Sequence, residues 1–406
     1  MTAEARPTIP AERFAERLAR ARSGLVENGA AALLIGVGAD LVYLTGYTAM
    51  PLERLTMLVV PQRGRPSLIA PRLEAMRAGG SPAAAAGLVD VVSWDETDDA
   101  HAIAARLATA GSDDRDGAGA GARHGGQAGR VGQAAGVLVD PGLWALHVLP
   151  LQRAIGDRRF GLATDVLGPL RMVKDADEVT LLRLAAEAAD RALAAVADGP
   201  LIGRTEAEVS REIRERLVAE GHDESLFAIV GSGPNSASPH HDPGERRIQA
   251  GEPVVLDIGG LLGGYASDTT RTIWVAGPDR DRLPDPEFVR IHELVREANA
   301  AATDAARPGQ TCESIDGVAR RLIEQGGYGP RFIHRVGHGI GLEGHEEPYL
   351  VGGSRTLLRP GVSFSIEPGI YLEGRYGVRI EDIVVCGDDA PIVLNRLPRE
   401  LWLVDG

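Results

Sequence analysis

Acidic residues stand inside the most apolar, strand-forming stretches of this chain, and they constrain its folding more than any other feature. Asp257 ends the run PVVLD, Asp268 opens DTTRTIWV, Glu367 lies in VSFSIEPGIYL and Glu381 in GVRIEDIVV. An inward-facing carboxylate on a core strand is costly unless it is paired or metal-bound. A chain that buries four of them must bring them to a counter-charge. With His338 they form a set of four carboxylates and one imidazole, oxygen-rich chemistry that suits Mn²⁺, Zn²⁺, Co²⁺ or Fe²⁺. Carboxylates can also bridge two ions, so the set points to a dinuclear centre rather than a thiolate zinc site.

Each segment also has a plainer reading. Asp257 and Asp268 flank a Gly-rich turn, so a hairpin can bring them together. Taken alone, they read more readily as turn aspartates with local hydrogen bonds. Their company reverses this. HRVGHGIGLEGHEEP carries His334, His338 and His345, three of only ten histidines in the chain. It is not a zincin helix, because Tyr349 stands where the second histidine of HExxH belongs and Pro348 disfavours a helix there. Period-two alternation puts Ser363, Ser365 and Glu367 on one face, Phe364 and Ile366 on the other, and Arg379 with Glu381 on a shared face. A salt bridge from Arg379 to Glu381 is the simple alternative for that pair. The loop SGPNSASPHHDPG holds His240 and His241, either as a surface crossing or as a place of substrate contact.

Composition narrows the classes further. A net charge of −14 without a long basic run argues against nucleic-acid binding, and no apolar stretch reaches the ~20 residues that span a bilayer. Only Cys312 and Cys386 are present, in no CxxC pair, which favours a reducing cytoplasm. The amino terminus lacks the apolar core of a signal peptide. Lys174 is the sole lysine, and Asp175 follows it, so neither a Walker-A loop nor a pyridoxal Schiff base is available in the usual form.

The length of 406 residues favours two or three domains. Residues 10–165 alternate helix and strand as an α/β domain, interrupted by a Gly/Ala-rich stretch at 111–135 that reads as a flexible surface insertion and forms no dinucleotide fingerprint. A boundary falls near 164–175, and 166–406 forms the second domain. Asp175 with Glu178, and Thr205 with Glu208, mark the starts of two amphipathic helices, the second closing at Gly221. Strand-like runs follow. Helices near 288–304 and 311–325 and further strands repeat this order, so two helix-pair-plus-hairpin halves are expected, each donating ligands to a site between them.

At this point the chain resembles the pita-bread metallopeptidases, specifically their Xaa-Pro dipeptidase (prolidase) and aminopeptidase P branch. DIGGLLGGYASDTTRT is similar to the family's double-aspartate segment, GHGIGLEGHEEP to its histidine segment, and IEPGIY and GVRIED to its glutamate segments. The resemblance implies an α/β fold: a creatinase-type amino-terminal α/β domain, then a pita-bread catalytic domain of two pseudo-repeated helix-plus-antiparallel-sheet halves. It implies that Asp257 chelates one metal, His338 and Glu367 the other, and that Asp268 and Glu381 bridge both. His240, His345 and Arg379 match substrate-facing positions. Gly344 departs from the larger residue of many prolidases.

The activity implied is hydrolysis of the bond between an amino-terminal residue and proline in dipeptides or short peptides. A hydroxide bridging two divalent ions, Mn²⁺ first and Co²⁺, Zn²⁺ or Fe²⁺ as alternatives, would attack the carbonyl. His240 and His345 would stabilise the oxyanion and Glu367 would pass a proton to the leaving nitrogen. A homodimer is implied. The alternatives are a creatinase-like C–N hydrolase and a non-catalytic binding protein of the same fold, both expected to have lost ligands.

Overall fold

The computed structural model describes residues 6–110, 135–278 and 280–406. The insertion expected at 111–135 lies outside the described residues, apart from Ala135. The chain divides into two compact units, Ile9–Arg171 and Met172–Gly406, the latter together with the segment before Ile9.

In the first unit the elements are α1 (Ala11–Glu27), β1 (Ala30–Ile35), α2 (Ala39–Thr45), β2 (Met57–Pro61), β3 (Ser67–Pro71), α3 (Ala75–Gly79), α4 (Pro82–Ala85), β4 (Asp90–Trp94), α5 (Ala100–Thr109), β5 (Gly136–Val139), α6 (Ala145–Ile155), β6 (Phe160–Leu162) and α7 (Thr164–Met172). The six strands form one mixed sheet in the order β4-β3-β2-β1-β5-β6. β1, β2 and β3 are buried throughout, as continuous apolar runs must be when helices cover a sheet. Phe14, Leu18, Ala21 and Leu25 recur at helical spacing and are the buried face of α1.

The second unit repeats one plan. Its first half runs α8 (Ala176–Ala197), α9 (Glu206–Ala219), β7 (Glu224–Ser232), β8 (Glu252–Leu262), β9 (Tyr265–Ala266) and β10 (Thr269–Val275). Its second half runs α10 (Pro286–Ala305), α11 (Cys312–Gln325), β11 (Gly337–Gly339), β12 (Glu346–Leu350), β13 (Ser363–Ile366), β14 (Gly369–Leu372), β15 (Tyr376–Arg379), β16 (Asp382–Val385) and β17 (Ile392–Val393). A last strand, β18 (Trp402–Val404), returns to pair in parallel with β10. The sheets are β18-β10-β8-β7, with β9 on β8, and β12-β11-β13-β16-β17; β14 and β15 form a separate arm.

Helix starts follow their caps. The Asp175 side chain accepts from the backbone N–H groups of Asp177 and Glu178 while Glu178 returns to the Asp175 N–H, and Thr205 and Glu208 form the same reciprocal box. Such a cap is worth about 1 kcal/mol and sets where the helix begins. Leu193, Val196, Val209, Ile213 and Leu217 then pack on Val254, Leu256, Ile258, Ile273 and Val275 in one core. A second core joins Phe288, Ile291, Val295, Ile315 and Ala319 to Phe364, Ile366, Val378 and Val384. Along β8 the even positions 254, 256 and 258 enter the helix-side core, so Asp257 faces the other way.

One local expectation is corrected. Asp257 is not at the end of its strand: β8 continues five residues further to Leu262, paired with β9. The turn is Gly263–Gly264, with φ of +61° and +84°, a two-residue reversal that needs both residues in the left-handed region. Hydrogen bonds then join the halves. Glu381 N–H donates to Thr270 O at 3.0 Å, and Thr272 Oγ1 both accepts from Arg379 N–H and donates to Arg379 O, each at 3.0 Å.

Candidate active site

Asp257, Asp268, His338, Glu367 and Glu381 converge on one cavity of about 740 Å³, which His240, His345 and Arg379 also line. Asp257 and Asp268 come from the β8–β10 hairpin, where Asp257 lies opposite Thr270. His338 is the middle residue of β11. Glu367 and Glu381 occupy the two facing breaks between the β13–β16 ladder and the β14–β15 arm, because Ile366 pairs with Asp382 and Gly369 with Arg379. At a break the side chain is freed from strict alternation, so both acids can turn to the same point.

Donor atoms gather in three overlapping groups, each within 4.8 Å: Asp268, His338 and His345; His338, Glu367 and Glu381; Asp257, Asp268 and Glu381. His338 is oriented as a metal-binding imidazole is. Its Nδ1 lies 3.1 Å from Gly339 O, a pure acceptor, so Nδ1 carries a proton and Nε2 is the nitrogen left to meet a cation. Nε2 faces Glu367 Oε1 at 3.3 Å and Asp268 Oδ2 at 3.7 Å, so a proton or a cation stands between them. His345 differs. Arg335 approaches its Nδ1 at 3.2 Å, and arginine can only donate, so the ring proton sits on Nε2. Burial, with His338 and Arg335 nearby, lowers its pKa to about 4 and keeps it neutral at pH 7. It is therefore an N–H donor beside the cluster, its ring centroid 3.7 Å from that of His338 and the planes tilted by 31°.

The acids are held at tension. Burial and then the neighbouring carboxylates push Asp268 and Glu381 well above the usual range, and burial and Glu367 push Asp257 up. Burial raises Glu367 too, but the contact with His338 outweighs it and draws the group to about 2. Asp257 Oδ1 is buried without a hydrogen-bond partner. An orphaned carboxylate oxygen, crowded acids and an inward imidazole nitrogen together fit divalent cations.

Around the cluster the structure reveals residues that local sequence reading passed over. Arg379 pairs with Asp257 at 2.5 Å rather than with Glu381, and also donates to Thr270 Oγ1, Tyr371 OH and Pro239 O. Thr270 Oγ1 donates to Glu381 at 2.7 Å. Tyr371 OH lies 2.9 Å from His334 Nε2. Alternation could have found Thr270, two residues from Asp268, and Tyr371, two from Gly369 opposite Arg379. Phe227, Ile229, Ile333 and Val351, which give the cavity its apolar wall, carry no local signal.

A cation-ready cluster of acids and histidine on the floor of a cavity between two pseudo-repeated halves is the centre of a metal-dependent hydrolase of the pita-bread fold. The profile described as Metallopeptidase family M24 matches residues 180–388, and that of the Creatinase/Prolidase N-terminal domain matches residues 17–127. The chain is 43% identical over 395 residues to a probable dipeptidase PepE of Mycobacterium tuberculosis, covering 97% of both. It is 34% identical to an Xaa-Pro dipeptidase of Lactobacillus delbrueckii subsp. lactis, over 95% of this chain and 98% of the other. The crystal structure of dipeptidase PepE from Mycobacterium ulcerans superposes with a TM-score of 0.86 at 42% identity, covering 98% and 99%. The chain belongs to metallopeptidase family M24.

Proposed function

We propose that this metallopeptidase hydrolyses the bond between an amino-terminal residue and proline in dipeptides or short peptides. The observation that carries the reading is the overlap of donors: Glu381 belongs both to the group with His338 and Glu367 and to the group with Asp257 and Asp268, and Asp268 Oδ2 reaches to 3.7 Å from His338 Nε2. An imidazole nitrogen has one lone pair, whereas a carboxylate can serve two ions, so Asp268 and Glu381 would be the bridging residues. Asp257 would complete one site, His338 and Glu367 the other. Mn²⁺ is our first choice of metal. The proline preference is supported by the name of the Lactobacillus relative and by the joint presence of His240, His345 and Arg379 at the cavity.

Two divalent ions held by these residues would supply an acidified water as nucleophile and polarise the scissile carbonyl. His345, neutral and with its proton on Nε2, donates to the developing oxyanion, and His240 lies in the same cavity to do likewise. Glu367, at the edge of the cluster, accepts a proton and returns it to the leaving proline nitrogen, which has no N–H of its own. Arg379 and Thr270 keep Asp257 and Glu381 aimed inward. Buried, unpaired Cys312 and Cys386 support a reducing cytoplasm, and the proposal includes a homodimer.

Rates of the Mn²⁺-loaded protein on Ala-Pro, Ala-Pro-Gly and Met-Ala-Ser test the reading. Fast cleavage of the proline substrates and slow cleavage of Met-Ala-Ser is the expected result. Equal rates would refute proline specificity, and no hydrolysis of any substrate would favour a creatinase-like or binding role.

A further inference from the structure

Glu206 is a fully buried carboxylate that the chemistry above leaves unused. It sits in the first turn of α9, and the chain folds a whole loop around it. Oε1 accepts from Ser232 N–H at 2.8 Å, Ser232 Oγ at 2.7 Å and Asn235 Nδ2 at 3.0 Å. Oε2 accepts from His241 Nε2 at 2.8 Å, Asn235 Nδ2 at 3.1 Å and Gly244 N–H at 3.4 Å. The exchange is mutual, because the first N–H groups of α9, at Glu206 and Ala207, donate to Arg246 O and Gly244 O. Residues 232–246 have little regular structure beyond one short 3₁₀ turn, so this anion takes the place of a ladder in ordering them.

His240 lies in that loop, between two anchors. On the cavity side Arg379 donates to Pro239 O at 3.2 Å, and on the other side His241 is tied to Glu206. The two histidines of the pair thus divide the work: His241 turns inward to the anion, while His240 is exposed at the cavity. Glutamate suits this use. A carboxylate has lone pairs for all of these donors, whereas an amide would turn an N–H₂ group toward several of them.

We infer that Glu206 and His241 are positioning residues that present His240 to the substrate. This rests on the reading of His240 as a substrate-facing donor, so the test must separate the two. Turnover of Ala-Pro is compared for the Mn²⁺-loaded wild type, His241→Leu, His241→Gln, His240→Ala and the double variant His240→Ala/His241→Leu, with metal content and melting temperature measured for each. Glu206→Gln is a poor probe because it also loosens the fold. His241→Leu is expected to lower kcat about tenfold with metal content and melting temperature kept, and to add nothing once His240 is gone. His241→Gln places an amide N–H₂ near the position of the imidazole Nε2 and should recover most of the loss. Equal fold-losses from His241→Leu in both backgrounds would overturn the positioning role while leaving His240 in place. Wild-type turnover in His240→Ala would overturn the reading of His240 and this inference with it.

Discussion

Single residues at the metal cluster act through charge count. Asp268 and Glu381 are buried beside other acids, and each belongs to two donor groups. Asp268→Asn or Glu381→Gln removes a charge that would serve both proposed cations, so at least one ion should be released and activity lost. Elemental analysis after Mn²⁺ loading should fall from about two ions per chain to about one or fewer. Full activity with no stoichiometric metal would contradict the dinuclear reading. The residues around the acids matter by geometry: Thr270 and Arg379 each touch a proposed ligand.

The start of α8 braces the segments that carry the site. Lys174 Nζ, buried, pairs with buried Glu346 at 2.6 Å, and Glu178 accepts from Tyr265 OH at 3.0 Å. Gly341 makes room for the pair, since a Cβ there would lie 2.5 Å from Glu346 Oε1 and 2.9 Å from Lys174 Cε. Gly341 O in turn accepts from Ala266 N–H at 2.8 Å, two residues before Asp268. A chain that otherwise uses arginine for its cations keeps a lysine here because the compact ammonium fits the niche. Lys174→Met takes the ammonium from a buried ion pair and should cost about 3–5 kcal/mol, while Lys174→Met with Glu346→Leu should recover part of the loss. Urea denaturation of the three proteins checks this, and a single variant as stable as wild type would count against the brace.

For the molecule as a whole, pH should act through buried histidine. Burial of His292 in the core under α10 lowers its pKa from 6.5 to about 4. Below pH 6.5 the unfolded chain takes up a proton that the folded chain refuses. Stability is therefore whole above that pH and is lost as pH falls from 6.5 towards about 4, by up to about 3 kcal/mol from this one group. His292→Gln should flatten that part of the melting-temperature profile. An unchanged slope would show that other groups carry the acid sensitivity.

The two capping boxes, the apolar spacing of α8 and α9, and the strands around Asp257, Glu367 and Glu381 are local signals, and the chain states them in consecutive residues. The four acidic ligand candidates stood out for the same reason: acids inside apolar β-runs demand an explanation wherever they occur. What only tertiary structure decided is which partner each group takes. Arg379 could have met Glu381 on its own strand face, yet it reaches Asp257 from the other half. His241 turns to an anion 35 residues away, and Lys174 to one 172 residues away. Asp257 proved to be mid-strand because β8 runs on to Leu262, held on one side by β7 as well as by β9 across the Gly263–Gly264 turn. Period and propensity act over a few residues, whereas burial brings distant groups to one point, and there the low dielectric makes the choice of partner decisive.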